Sequence, residues 1–340
     1  MGLQIGEIVP RKALEFSDLK GKIIAVDAYN AIYQFLSTIR QPDGTPLMDS
    51  KSRVTSHLSG LFYRNINLLV EGMKLVYVFD GKPPVQKFGT NAIRQERKDE
   101  AREKYEQAKD EEDIEAMGKY ARQNVKLTRE IIDDSKKLLE AMGICVIQAP
   151  SEGESQCAEI CKHSGYAVAS QDYDSLLFGA KRLIQNLTLA RTRKTASGTV
   201  YISPEVIDLQ EVLNHLQINL DQLICLGILA GTDYNPGGIR GIGQKKALDI
   251  VKKYRNPVDI FNSVRDKMAL QENQFDWQEI YELFHKPDVI KNPEIDFPKL
   301  NAQEIFRLLV DEHDFNRERI SNQLDKLNVA KEKGKQRTLF

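Results

Sequence analysis

The sequence predicts an α/β fold with a mostly parallel central sheet and helices on both faces. Three observations carry that prediction. Short β-branched runs such as Lys22-Ile-Ile-Ala-Val-Asp27 and Lys74-Leu-Val-Tyr-Val-Phe-Asp80 alternate with stretches of helical apolar spacing. Each run is apolar throughout, as strands covered on both faces are. Each also ends in acid, which puts carboxylates at the carboxyl edge, where parallel α/β sheets bind ligands.

In chain order, Lys22–Asp27 runs into a helix over Ala28–Ile39, and Arg40–Ser52, with Pro42, Asp43-Gly44 and Pro46, reads as a loop. Thr55–Glu71 has apolar residues at helical spacing (Leu58, Leu61, Phe62, Ile66, Leu69), with Arg64 facing either solvent or a phosphate. Lys74–Asp80 is the second strand. Arg94–Arg129 is dense in Lys, Arg, Glu and Asp and reads as a solvated helical hairpin. At its base, Lys87 and Arg94 lie seven residues apart, two helical turns, a spacing that holds two cations over the carboxylate edge.

Ile144–Gln148 leads into Glu152-Gly-Glu154, and Tyr166–Ser170 leads into Asp172-Tyr-Asp174. Alternate residues on extended backbone point the same way, so each acid-x-acid pair aims two carboxylates at one place. Such a cluster repels itself unless cations sit in it, and carboxylate oxygens prefer hard divalent ions. The expectation is a Mg²⁺ site. The alternative, separate N-caps and turn residues, suits one such Asp better than several strand ends together.

Arg182–Leu189 and Thr199–Ile202 read as paired strands, and Leu220–Leu229 as an apolar helix leading to Gly231-Thr-Asp233. Gly241-Ile-Gly243, opening a helix over Gln244–Tyr254, reads as a helix-hairpin-helix. Bare backbone N–H groups there approach a duplex phosphate, and Lys245 and Lys246 add charge; an ordinary glycine-rich turn is the alternative. Beyond it, helices are broken at Pro257, Pro287, Pro293 and Pro298, with Trp277 expected in the core. Asn301–Asn328 forms a helical pair around Glu312-His-Asp-Phe315, and Lys331–Lys335 is a mobile polar tail.

The 340 residues are 41% hydrophobic and 29% charged, a globular composition. No apolar run approaches the ~20 residues that cross a bilayer, and Met1–Pro10 lacks a signal core, so no membrane and an intracellular setting are expected. Cys157 and Cys161 are spaced i,i+4 without a second ligand pair; with Cys145 and Cys225 they read as buried thiols. The net charge of −1 argues against a nucleic-acid binder, yet Lys181–Gly198 (including Arg193 and Lys194) holds no acid and Arg240–Arg255 holds only Asp249.

Asp27, Asp80, Glu152, Glu154, Asp172, Asp174 and Asp233 thus suit a two-metal site, with ions ~3.5–4 Å apart. No His lies near these motifs and no Ser or Cys nucleophile adjoins a base. Metal-assisted phosphodiester hydrolysis is the economical reading.

Taken together, Val26-Asp27-Ala-Tyr-Asn-Ala-Ile-Tyr33, Val76–Pro84, Ala149–Glu154, Ser170-Gln-Asp172-Tyr-Asp174 and Gly231-Thr-Asp233-Tyr make the chain resemble the flap endonucleases, 5′ nucleases of archaeal and eukaryotic type, from Met1 to about Asn328. The resemblance implies a PIN-like nuclease domain over 1–328: an N-terminal part over 1–105, a helical arch over 82–136, an internal part over 137–255 with the helix-hairpin-helix at 220–255, and a helical part over 256–328, followed by a flexible tail over 329–340. It implies removal of 5′ flaps, with 5′–3′ exonuclease action, in replication and repair. Asp27, Asp80, Glu152 and Glu154 would serve mainly one Mg²⁺ (Mn²⁺ can substitute) and Asp172, Asp174 and Asp233 mainly the other. Lys87 and Arg94 would hold the scissile phosphate. Tyr33 would stack on the nucleotide beside the cut, unless it is a core aromatic. Gly2, Arg64, Arg193, Lys194, Gly241, Gly243, Lys245 and Lys246 would contact DNA, with K⁺ at the hairpin, and the Glu312–Arg319 neighbourhood would grip a 3′ flap. Gln336-Arg-Thr-Leu339-Phe340 supplies the Gln and aliphatic of a sliding-clamp motif but ends before its aromatic pair, so Gln336, Leu339 and Phe340 make the expected clamp contact and a disordered tail is the alternative. The absence of a long basic extension favours an archaeal source, with a cytoplasmic or nucleoid location and a monomeric state. A related ribonuclease and a silent junction-binding module are the competing readings.

Overall fold

The computed structural model describes residues 3–41, 43–84, 87, 99–108, 113, 116, 119–120, 125–188, 192–195, 198–270 and 274–336. Gly2, Arg94, Leu339, Phe340 and much of the expected arch lie outside them, as do the side chains of Arg193, Lys194 and Gln336.

The strands are β1 (Lys12–Ala13), β2 (Ile23–Asp27), β3 (Lys74–Phe79), β4 (Cys145–Gln148), β5 (Ala167–Ala169), β6 (Arg182–Gln185), β7 (Thr192–Thr195), β8 (Gly198–Tyr201) and β9 (Glu205–Asp208). Seven of them form one sheet in the order β1-β9-β6-β5-β2-β3-β4. From β6 to β4 the neighbours are parallel; β9 and β1 close the edge antiparallel. The chain moves outward from β2 through β3 to β4, then crosses back to β5 and β6 on the other side of β2. That reversal makes the carboxyl end of β2 a switch point, where open α/β sheets form a crevice. The register keeps neighbouring ends level: Asp27 lies opposite Val78, Phe79 opposite Gln148 and Val26 opposite Ala169.

Alternating side chains feed two cores. Ala25, Val76, Val78, Val168 and Leu183 face one, and Ile24, Val26, Leu75, Tyr77 and Ile184 face the other. Helices α1 (Ala28–Thr38), α2 (Ser56–Val70) and α3 (Arg129–Ala141) cover the second face. Helices α4 (Gly153–His163), α5 (Asp174–Leu177), α6 (Leu209–Leu216), α7 (Leu220–Ala230), α8 (Gln244–Tyr254), α9 (Pro257–Asn262), α10 (Arg265–Ala269) and α11 (Trp277–His285) gather on the first. Each fully buried Val, Leu or Ile contributes ~1.5–3 kcal/mol, so coverage of both faces explains why these strands are apolar throughout. Helix α12 (Ala302–Phe306), a π-helical turn (Arg307–Glu312) and α13 (Arg317–Gln336) close the second face. Residues 99–108 of the expected arch are helical.

Three sequence expectations are corrected. Arg182–Gln185 pairs with β5 and β9, not with Thr199–Ile202. Its Leu183 and Ile184 are fully buried, so the strand belongs in the main sheet, while β7 and β8 pair with each other, Thr195 opposite Gly198. Trp277 is half-buried rather than in the core, its ring stacked on Phe261 at 4.2 Å. The expected tail from 329 is helical to Gln336, because Ala330, Lys331, Glu332 and Lys333 are strong helix formers that propagate α13 at little cost. All four cysteines are free and buried, as expected. Among the described residues no single helix is long and apolar enough to cross a membrane.

The loop after α1 is tied to the C-terminal turn by buried charge. Asp49 accepts from the backbone N–H groups of Lys51 (3.0 Å) and Arg53 (2.9 Å) and from Arg53 Nε (2.8 Å), and lies 3.0 Å from His313 Nδ1. The other His313 nitrogen faces Asp134 at 3.4 Å. Burial alone would raise the Asp49 carboxyl, but hydrogen bonds from Arg53, His313 and Lys51 outweigh it and hold it at about 2. Burial and the proximity of His313 push His57 down to about 3. A depressed carboxyl adds stability that is complete above its unfolded value, near pH ~3.9, and is lost as pH falls toward the folded one. Asp49→Asn should therefore lower the melting temperature at pH 7, and its gap from wild type should narrow as the pH drops to 3; scanning calorimetry across that range checks it.

Candidate active site

Each candidate acid is placed by the element it ends or begins. Asp27 is the last residue of β2 and the N-cap of α1, accepting the Asn30 N–H at 3.1 Å; the capping reading holds for it without removing it from the cleft. Asp80 follows β3, and its Oδ1 accepts the Gly153 N–H at 2.6 Å. A Cβ on Gly153 would sit 2.7 Å from that same oxygen, so a larger residue there would displace the Asp80 carboxylate. Glu152 and Glu154 flank that glycine at the start of α4, and Ser170 Oγ donates to Glu154 at 3.4 Å.

Asp172 follows β5 and accepts from Asn30 Nδ2 at 2.9 Å, which joins the ends of β2 and β5. Asp174 opens α5. Its Oδ1 accepts the Leu3 N–H at 3.3 Å, while its buried Oδ2 has no hydrogen-bond partner. Asp233 comes from the loop between α7 and α8, and Lys87 joins it to Glu152: the ammonium is 3.3 Å from Asp233 Oδ2 and bonded to Glu152 Oε1.

The electrostatics mark these groups as one cluster. Burial pushes the carboxyls of Asp27, Glu154 and Asp174 well above the usual range, and neighbouring acids push further: Asp80 on Asp27, Asp174 and Asp172 on Glu154, Asp233 and Asp172 on Asp174. Burial also raises Glu152, although Lys87 pulls it the other way. Burial alone would lower Lys87, but the carboxylates of Glu152 and Asp233 outweigh that and raise it. Lys87 is thus an internal counter-ion to two of the acids.

The donor set fits a hard divalent cation. It is all carboxylate oxygen, it repels itself, and it includes a buried oxygen with no protein partner. Among the described residues, no three His, Cys, Asp or Glu side chains stand close enough together to hold an ion as they are placed, and Lys87 holds two of the carboxylates.

At the hairpin, Gln222 Nε2 donates to Val251 O at 2.6 Å, locking α7 to α8. A Cβ on Gly241 or Gly243 would meet nothing within 4 Å, and Gly243 caps α8 with no side-chain bond, so backbone N–H groups lie open there. Lys246 Nζ donates to Gly241 O at 3.2 Å, and exposed Lys245 lies 3.3 Å from Glu7. Tyr33 is 37% exposed on α1, so it is not a core aromatic. Arg64 is half-buried on α2, its guanidinium partly desolvated. Sequence reasoning missed Asn30 and Tyr234, whose hydroxyl donates to Glu152 Oε2; their one signal was a place beside acids of the cluster.

The chain matches the XPG N-terminal domain over residues 4–101 and the XPG I-region over 143–233. Flap endonuclease 1 of Pyrococcus furiosus is 52% identical over 342 residues, spanning 100% of this chain and 98% of that protein. Flap endonuclease-1 from Methanococcus jannaschii has a solved structure that matches with a TM-score of 0.76 at 39% identity, covering 98% of this chain and 100% of that one. The catalytic core of Rad2 in complex with DNA substrate shares the fold, with a TM-score of 0.70 at 23% identity over 93% of this chain and 96% of that one.

Proposed function

This chain belongs to the flap endonuclease family, and from that premise we propose how its residues recognise and cut a 5′ flap. The protein is a structure-specific DNA endonuclease, a metal-dependent hydrolase of phosphodiester bonds that acts in replication and repair. The observation that carries the assignment of roles is the convergence of acids from the ends of β2, β3, β4 and β5 with Asp233 from the hairpin loop.

Asp27, Asp80, Glu152 and Glu154 would hold mainly one Mg²⁺, and Asp172, Asp174 and Asp233 mainly a second; Mn²⁺ can replace either. When bound, such ions supply a hydroxide nucleophile and stabilise the leaving oxygen. The chain's own groups do the positioning. Lys87 exchanges its carboxylate partners for the scissile phosphate, and Arg94 is the second cation for that phosphate, in an arch spanning about 82–136. Tyr33 offers its exposed ring to the nucleotide next to the cut, a contact worth ~1–3 kcal/mol. The open amides at Gly241 and Gly243, with Lys245, Lys246 and a K⁺ ion, grip the downstream duplex. Gly2, Arg64, Arg193 and Lys194 add backbone contacts, and the Glu312–Arg319 neighbourhood receives a 3′ flap. Gln336, Leu339 and Phe340 contact a sliding clamp.

A cleavage assay on 5′-flap, nicked duplex, blunt duplex and RNA substrates, with Mg²⁺ and with EDTA, tests the reading. Flap cutting should dominate and EDTA should stop it; equal cutting of all four would defeat it. Replacing Lys245 and Lys246 together by Ala should weaken binding across sequences and flatten the slope of log affinity against log salt, by up to ~0.9 per lost phosphate contact. Fluorescence anisotropy from 50 to 200 mM salt reads both, and an unchanged slope would remove the hairpin from the duplex grip.

A further inference from the structure

Tyr234 follows Asp233 in a loop whose backbone is fixed by its own side chains. Thr232 Oγ1 donates to Asn235 Oδ1 at 2.7 Å, Asn235 Nδ2 donates to Ile228 O at 2.7 Å, and the Tyr234 N–H donates to Thr232 Oγ1 at 3.2 Å. The Tyr234 side chain is held as firmly. The residue is 7% exposed, and its ring meets Phe284 edge-on at 5.4 Å, with Phe284 in turn against Phe178 at 4.8 Å. A buried phenol needs a partner for its hydroxyl. Here the partner is Glu152 Oε2, 82 residues away in sequence.

Glu152 reflects this contact in its own conformation. It occupies the N-cap position of α4, yet its side chain makes no capping bond to that helix. It is turned away, with Oε1 bonded to Lys87 and Oε2 to Tyr234. The two donors differ in kind. Lys87 brings a full positive charge that competes with any cation for the carboxylate. Tyr234 brings a neutral O–H on a packed ring, which orients the carboxylate while leaving its remaining lone pairs available.

We propose that Tyr234 is a positioning residue for the ion centre. Its hydroxyl fixes the rotamer of Glu152, and because it rides on the α7–α8 loop, the seating of the duplex-gripping hairpin and the readiness of Glu152 to bind an ion are linked. This rests on reading the acidic cleft as a divalent-ion site.

The test is titration calorimetry of the full chain with Mg²⁺ in the absence of DNA, on wild type and Tyr234→Phe, with melting temperatures of both measured in EDTA. Tyr234→Phe keeps the ring in its packed place and should bind Mg²⁺ about 10–100-fold more weakly, the usual loss when an outer-shell partner of a ligand is removed. Flap kinetics should show the loss in kcat at limiting Mg²⁺, with KM for the flap unchanged, and excess Mg²⁺ should restore the rate. In a Glu152→Gln background, where no carboxylate remains to orient, Tyr234→Phe should have little further effect. Wild-type Mg²⁺ affinity in Tyr234→Phe, or an equal loss in both backgrounds, overturns the proposal. A wild-type chain that takes up no Mg²⁺ at all overturns the divalent-ion reading itself.

Discussion

Asp174→Asn is expected to reduce flap cleavage by ~10³-fold or more and, in the same protein, to raise the melting temperature of the ion-free chain. Both effects come from one carboxylate. Asp174 is 3% exposed, its Oδ2 has no partner, and burial with the charges of Asp233 and Asp172 pushes its carboxyl well above the ordinary range. Asparagine keeps the shape and the oxygen that accepts the Leu3 N–H, and it removes the ionisable group. In ion-free buffer at neutral pH the relief should be on the order of 1 kcal/mol, a rise of ~2 °C or somewhat less for a chain of this length. Cleavage moves the other way, because an ion missing one of its acids loses several kcal/mol of transition-state stabilisation at 1.36 kcal/mol per tenfold.

The sign of the pH dependence follows from the same group. The folded carboxyl is raised, so between its unfolded value, near ~3.9, and its folded one the folded chain binds more protons than the unfolded chain. Ion-free stability should therefore fall as the pH rises from about 4, Asp174→Asn should flatten that fall, and Mg²⁺ should restore most stability at the alkaline end. Thermal melts in EDTA and in Mg²⁺ from pH 5 to 8 measure all three, and a melting temperature lowered by Asp174→Asn would contradict the account.

Lys87→Ala is expected to lower kcat on a 5′ flap by ~10²–10³-fold, the usual loss when one preorganised charge at a reacting centre is removed. Its effect on ions should be the opposite. The ammonium is bonded to Glu152 and 3.3 Å from Asp233, so it competes with an arriving cation for two carboxylates. Removing it should tighten Mg²⁺ binding in the absence of DNA and destabilise the ion-free chain, since buried Glu152 and half-buried Asp233 lose their counter-ion. Calorimetric titration beside single-turnover kinetics separates the two effects. Weaker Mg²⁺ binding in Lys87→Ala would show that the lysine helps to build the ion site rather than guarding it.

The site was legible in the sequence largely because the fold puts its acids at punctuation marks. An apolar run that ends in Asp, as at Asp27 and Asp80, states both a buried strand and its carboxyl edge. Helix Gln244–Tyr254 was bounded correctly because Gly241 and Gly243 leave no doubt where it begins. Pairing was less legible. The antiparallel partner of Arg182–Gln185 is Glu205–Asp208, and four-residue strands carry too little pattern to choose between neighbours; burial of Leu183, Ile184 and Ile207 decides it. The supporting shell was hardest to read. Asn30 and Tyr234 carry no charge and no spacing signature, and their roles exist only once distant strand ends and the hairpin loop meet. Lys87 was legible as a cation near the acids, but its bonds to Glu152 and Asp233 were not.

Anomalous scattering at the manganese edge shows whether these seven carboxylates form one divalent-ion centre against the scissile phosphate. The crystals would hold the chain with a 5′-flap duplex and Mn²⁺. Anomalous peaks are expected among Asp27, Asp80, Glu152, Glu154, Asp172, Asp174 and Asp233, with a weakened or lost peak beside residue 174 in Asp174→Asn. Manganese bound elsewhere on the chain, with these carboxylates free of it while the flap is in place, would contradict it.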